Sequence, residues 1–158
     1  MFIQNVSMDG IQTGIHYDAG ENSLLIQIVD PAYTFPTPKK SFKETHKFEF
    51  LDVEFESNLG WEFRPTQEQA DELVAILDHA RKNKMNVIVH CHAGLCRSGA
   101  VAEIGVIMGF EDTNVVRLPN VLLKGLMMKT LGLSYDADAD YKSQYEMVNG
   151  VILLKGKS

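Results

Sequence analysis

The apolar run Val87-Ile88-Val89 leads into His90-Cys91-His92-Ala93-Gly94-Leu95-Cys96-Arg97-Ser98, and a segment of helical periodicity follows. This order reads as a strand, a tight loop and a helix N-terminus, and it constrains the chain more than any other stretch. A loop in that position turns successive backbone N–H groups inward and adds the positive end of the helix dipole, which makes a cradle for a tetrahedral oxyanion. Cys91 falls at the floor of the cradle. Arg97 offers a planar fork for two oxygens, and Ser98 can donate a hydrogen bond toward the sulfur. The field that attracts an oxyanion also favours a thiolate. A buried strand ending in an inert thiol is the plain alternative, and the flanking strand and helix weigh against it. His90, Cys91, His92 and Cys96 are all metal-ligand types. Strand alternation sends both histidines to the side opposite Cys91, and no second ligand pair occurs elsewhere, so no metal is expected.

A His, a Cys, five further residues and then Arg-Ser make a pattern that resembles the cysteine-dependent protein tyrosine and dual-specificity phosphatases. The resemblance is to their compact bacterial and phage members and runs from about Leu24 to Leu131. It implies Cys91 as nucleophile, Arg97 as the group that holds substrate and transition state, and Ser98 as a helper of thiolate departure. His90 matches the residue that tunes the thiol, and Gly94 the glycine that lets the loop fold inward. His92, Ala93, Gly94, Leu95, Cys96 and Arg97 would surround the bound phosphate. The activity implied is hydrolysis of phosphotyrosine, with phosphoserine and phosphothreonine beside it, through a phosphocysteine and without metal or cofactor. No tyrosine-recognition segment of the large tyrosine-specific class is found. A phosphate-reading module that does not turn over is the alternative from another class. A sulfurtransferase or reductase is a third reading, disfavoured by Arg97-Ser98 and the preceding His.

Leaving-group departure needs a proton, so a carboxylic acid upstream of Cys91 is required. Asp52, Glu54 and Glu56 are candidates. Asp52 is preferred because Phe50-Leu51-Asp52-Val53 resembles the strand-end Asp of the compact members, although it lies further ahead of Cys91 than the family usually places its acid. The family also positions water for the second step with a late amide, and Asn120 in Arg117-Leu118-Pro119-Asn120 is the match; helix capping is its other role. Cys96 could form a disulfide with an oxidised Cys91, or could simply be a small inward side chain.

Around this core, Leu24 to Val29 reads as a buried strand ended by Asp30-Pro31, and Lys47 to Val53 as a second strand after a proline-rich loop. Thr66 and Gln69 fit a capping box for a helix running to about Lys84, with Ala70, Leu73, Val74, Ile76, Leu77 and Ala80 on one stripe. Helical segments are expected over Gly99–Gly109, from Pro119 to Leu131, and from Asp138 to Val148 before Gly150. Asp136, Asp138 and Asp140 alternate like a calcium loop, but Tyr141 and Met147 occupy its Gly and Glu positions, so they read as helix N-terminal acids. Strands alternating with helices predict an α/β fold, a mainly parallel sheet flanked by helices with its site at the carboxyl end of the Val87–Val89 strand.

The 158 residues, 45% of them hydrophobic, suit a single catalytic domain over 1–158. A net charge of −6 argues against nucleic acid as a partner. Among the phosphate-loop positions between Cys91 and Arg97 only His92 can become cationic, which fits a phosphorylated protein better than a polyanionic head group. No run approaches a membrane span, Met1 to Asn5 lacks the features of a signal peptide, and two cysteines five positions apart make no disulfide framework. A cytoplasmic protein without membrane partners is expected.

Overall fold

Leu24, Leu25, Ile26, Ile28 and Val29 leave almost no polar side chain in their stretch, and a strand of that kind is stable only when both faces are covered. In the computed structural model, which describes residues 1–148 and 151–154 and side chains as far as residue 140, that is their position. The strands are β1 (Phe2–Val6), β2 (Ser23–Val29), β3 (Glu44–Glu49), β4 (Asn86–His90) and β5 (Glu111–Asp112). They form one sheet in the order β3-β2-β4-β1-β5, parallel throughout. A hairpin of β6 (Tyr145–Val148) and β7 (Val151–Leu154) is antiparallel and separate. The helices are α1 (Met8–Thr13), α2 (Gln67–Lys82), α3 (Arg97–Met108), α4 (Val121–Thr130) and α5 (Ala137–Gln144).

Strand alternation divides the core between the two faces. Leu24, Ile26, Ile28, Val87 and Val89 join the larger cluster with the buried stripe of α2 and with residues of α3 and α4, whereas Leu25 and Ile88 pack with Val6 and Ile11 under α1. The capping box is present: Thr66 accepts from the Gln69 amide, and the Gln69 side chain accepts from the Thr66 amide. All six expected stripe residues of α2 are buried. Leu73 and Leu77 are wholly so, each contributing roughly 1.5–3 kcal/mol. Helix α3 approaches β1 closely because Gly105 lacks a side chain; a Cβ there would lie 2.7 Å from Ile3 Cδ1.

Four expectations shift. The second strand is Glu44–Glu49 rather than Lys47–Val53, because β3 is an edge strand whose ladder ends with its neighbour: Val29 pairs Glu49, and beyond Asp30-Pro31 nothing remains to pair with. Leu51, Asp52 and Val53 are thereby released into a loop. Helix α3 begins at Arg97, two residues before the expected start, so the phosphate loop feeds straight into it. Helix α4 is trimmed to Val121–Thr130 by the Asn120 cap. The last helix ends at Gln144, where pairing with β7 converts Tyr145–Val148 into strand; Gly150 lies outside the described residues. Asp136 caps α5, accepting from the amides of Asp138 and Ala139. Among the described residues no helix is long and apolar enough to cross a membrane.

Candidate active site

Strand β4 is central, and its carboxyl end delivers Cys91 into the crevice between β2 and β1. The loop that follows is shaped by where its carbonyls go. His92 O accepts from the Met8 amide at 3.0 Å, Leu95 O from the Leu118 amide at 2.9 Å, and Cys96 O from the amides of Ala100 and Asn120, both at 2.9 Å. Gly94 O accepts from Asn5 Nδ2 at 2.7 Å. A trans peptide points its N–H opposite to its carbonyl, so each carbonyl engaged outside turns the next residue's N–H toward the concave side. The amides of Ala93, Leu95, Cys96 and Arg97 are set inward in this way, at the N-terminus of α3, as an oxyanion cradle requires.

Gly94 is indispensable to that shape. Its φ is +76°, and a Cβ would meet Ser7 N at 2.5 Å and Val6 C at 2.6 Å, both backbone atoms. Gly94→Ala should therefore lower unfolding free energy by at least ~2 kcal/mol in urea titration and weaken vanadate binding with it. A variant of unchanged stability would contradict the close approach.

Arg97 is only 4% exposed. Its Nη1 donates to Asp30 Oδ1 at 2.6 Å and to Phe50 O at 2.7 Å, while its Nε is buried without a partner. One side of the fork is thus fixed to the ends of β2 and β3, and Nε is a donor still to be satisfied. Cys91 Sγ lies 3.1 Å from Ser98 Oγ, close enough for the hydroxyl to donate to sulfur. Asp30, Asp52, Cys91, His92, Ala93, Cys96 and Arg97 line one cleft of about 370 Å³, with Leu51, Val53 and the exposed Leu59 as its apolar wall.

His90 is fully buried beneath the loop, its Nδ1 3.2 Å from Cys91 O. A carbonyl only accepts, so Nδ1 carries the proton. Burial, with the Arg97 charge adding to it against the effect of that hydrogen bond, pushes the imidazole down to about 4. Between that value and the ordinary 6.5 the unfolded chain holds the extra proton and the folded chain does not. Stability should therefore fall as pH drops from about 6.5 toward 4, by up to ~3 kcal/mol. Urea titrations across that range on wild type and His90→Asn should show this part of the drop in wild type alone; equal slopes would remove the assignment.

The three candidate acids part company. Asp52 lines the cleft, and its Oδ1 accepts from Asn120 Nδ2 at 2.7 Å. Glu54 Oε2 accepts from the Val121 amide at 3.0 Å, at the start of α4. Glu56 is exposed and does not line the cleft. Asn120 is fully buried with its amide engaged on both sides: Nδ2 also donates to Val53 O, and Oδ1 accepts from the Leu123 amide as the α4 cap. Burial first, and then the neighbouring Asp52 carboxylate, push the Cys96 thiol up to about 12, so it remains protonated at neutral pH. Among the described residues no group of three or more His, Cys, Asp or Glu side chains is placed to hold a metal.

Asp30 was not anticipated in the site. Its signal was nevertheless legible: β2 and β4 are adjacent and parallel, so Asp30 just past Val29 and Cys91 just past His90 must open onto the same crevice.

An inward amide cradle, a thiol at its floor and a tethered arginine together define a thiol-based oxyanion site. Residues 62–109, from the turn before α2 through the cradle to the end of α3, match the family model described as "Polymorphic toxin system, DSP-PTPase phosphatase". The resemblance to the dual-specificity and tyrosine phosphatases therefore holds over the stretch that carries Cys91, the cradle and Arg97, while Asp30, Asp52 and Asn120 lie outside it. No curated protein matches the chain. Among solved structures the chain is similar to OH1 from the Orf virus, a tyrosine phosphatase described as having triple substrate specificity, at 21% identity and a TM-score of 0.43 over 68% of this chain. It spans 55% of that viral chain. It is also similar to human DUSP28, at 11% identity and a TM-score of 0.49, over 89% of this chain and 86% of that one. Tk-PTP in its active form is 13% identical with a TM-score of 0.38, over 89% and 88%.

Proposed function

We propose that the protein is a cysteine-dependent protein phosphatase, acting on phosphotyrosine and also on phosphoserine and phosphothreonine, in a reducing cytoplasmic setting. The observation that carries this reading is Arg97, held through Nη1 by Asp30 and Phe50 O, with Nε buried and unpartnered, in the cleft that Cys91 also lines. Cys91 Sγ attacks phosphorus, the bond to the ester oxygen breaks, and Asp52 gives that oxygen its proton. Arg97 and the inward amides hold the equatorial oxygens through the displacement. Water then attacks the phosphocysteine, Asp52 takes its proton, phosphate leaves, and Ser98 donates to the departing sulfur. His92, Ala93, Gly94, Leu95 and Cys96 form the wall around the phosphate. No step calls on a metal. Asn120 acts here as a positioning residue, holding Asp52 at the cleft through the 2.7 Å bond.

The test is hydrolysis of a small aryl phosphate with a chelator present, and its inhibition by vanadate. Turnover blocked by vanadate is expected; no turnover while phosphopeptide still binds would make the protein a phosphate reader. The acid has its own signature. Asp52→Asn should slow phenyl phosphate hydrolysis by about 10²–10³ and barely affect an ester with a strongly activated leaving group, since only the poor leaving group needs the proton. Equal losses on both esters would exclude Asp52 as the acid.

A further inference from the structure

A second cleft, of about 450 Å³, lies against the catalytic loop and meets the first at Ala93, which lines both. Ile15, on the turn after α1, and Val116, in the segment before α4, stand in its walls at 75% and 53% exposure. Lone exposed aliphatics need no explanation, but these two come from chain segments far apart in sequence and flank one cavity beside a reactive thiol. The walls are held together: Asn5 Nδ2 donates to both Gly94 O at 2.7 Å and Val116 O at 3.2 Å. Ile15 is fixed by its own amide, which donates to Gly10 O at 2.9 Å. Asn5 also lines the cleft, is 2% exposed, and keeps a buried Oδ1 that has no partner. The cavity is therefore bounded by anchored backbone rather than by free loops, and its charged neighbour is a carboxylate, Asp9.

We propose that this cleft is a substrate subsite that takes an aliphatic side chain close in sequence to the phosphorylated residue. The proposal rests on the phosphatase reading for the identity of the neighbouring site. The shared rim at Ala93 supplies the occupant, because a chain whose phosphate sits over Cys91 can reach the second cleft on that side. An extended peptide advances about 3.3–3.6 Å per residue, so a position one to three residues from the phosphorylated one comes to lie there. Ile15 and Val116 offer that side chain apolar surface otherwise left in water. Asp9 disfavours an acidic residue in the same place.

Affinity measured without turnover tests the subsite apart from the chemistry. Fluorescence polarisation with Cys91→Ser would compare phosphotyrosyl peptides carrying Leu within three positions of the phosphotyrosine, on either side, with the same peptides carrying Gln there. An affinity ratio of about tenfold in favour of Leu is expected. Adding Ile15→Ser or Val116→Ser should bring that ratio close to one, whereas a general loss of binding would weaken both peptides alike and leave it standing. Equal affinities in the starting protein, or a ratio that survives both substitutions, would overturn the subsite. Aryl phosphate turnover by the wild type, measured in parallel, reports separately on the phosphatase reading: a preserved ratio without turnover upholds the subsite and removes the chemistry.

Discussion

Cys91→Ser should reduce aryl phosphate turnover by at least about 10⁴-fold. The substituted hydroxyl would occupy the same floor, 3.1 Å from Ser98 Oγ in the present geometry, and its partner there is another hydroxyl rather than a base. His90, the residue before it, makes no bond to the Cys91 side chain. Its Nδ1 proton is directed to Cys91 O, and its buried Nε2 has no partner. Asp52 is tied to Asn120 and stands beside Cys96. A serine in such surroundings remains an unactivated alcohol, whereas a thiol is intrinsically the better nucleophile. Steady-state rates with vanadate as an oxyanion probe separate the two contributions: the serine variant should lose turnover yet keep the amide cradle. More than about 1% residual turnover would mean that another group supplies the nucleophile.

Arg97→Lys should be nearly as damaging as Arg97→Ala, each lowering kcat/KM by about 10²–10⁴. The charge is kept in the first and lost in the second, so near-equality would report on geometry. In the proposed mechanism the guanidinium works from two sides at once, with Nη1 anchored to Asp30 and Phe50 O and Nε, which has no partner in the protein, turned to the substrate oxygens. An ammonium is a single point. Seated against Asp30 it cannot also span two equatorial oxygens, and seated on the substrate it abandons Asp30 at the mouth of the cleft, where that carboxylate repels an incoming phosphate. Kinetics on one aryl ester suffice. A lysine variant within threefold of wild type would show that charge alone does the work.

What could be read from the sequence was what is local. The phosphate loop announces itself because its residue types and spacing are contiguous, and the α2 capping box because its two partners are three residues apart. What could not be read depends on distant pairing. Strand β1 escapes notice because Gln4 and Asn5 interrupt its apolar pattern, yet Asn5 is polar for a reason 89 positions away, at Gly94 O. The end of β3 is decided by where β2 stops, not by the alternation that continues through Val53. Two-residue β5 exists only because β1 is beside it, as the amide of Glu111 donates to Met1 O. Asp30 looked like the end of a strand, and only the adjacency of β2 and β4 makes it a neighbour of Arg97.

The outward carbonyls of the phosphate loop bear on when, during synthesis and folding, the site acquires its shape. Their partners are Asn5 and Met8 near the start of the chain and Leu118 and Asn120 well beyond α3. A nascent chain that has just released β4, the loop and α3 holds every residue of the signature and lacks half of the clamps that give it shape. The loop is therefore left without its final shape until the late segment docks, and the nine-residue signature grafted onto a foreign strand and helix would carry the letters of the site without its cradle.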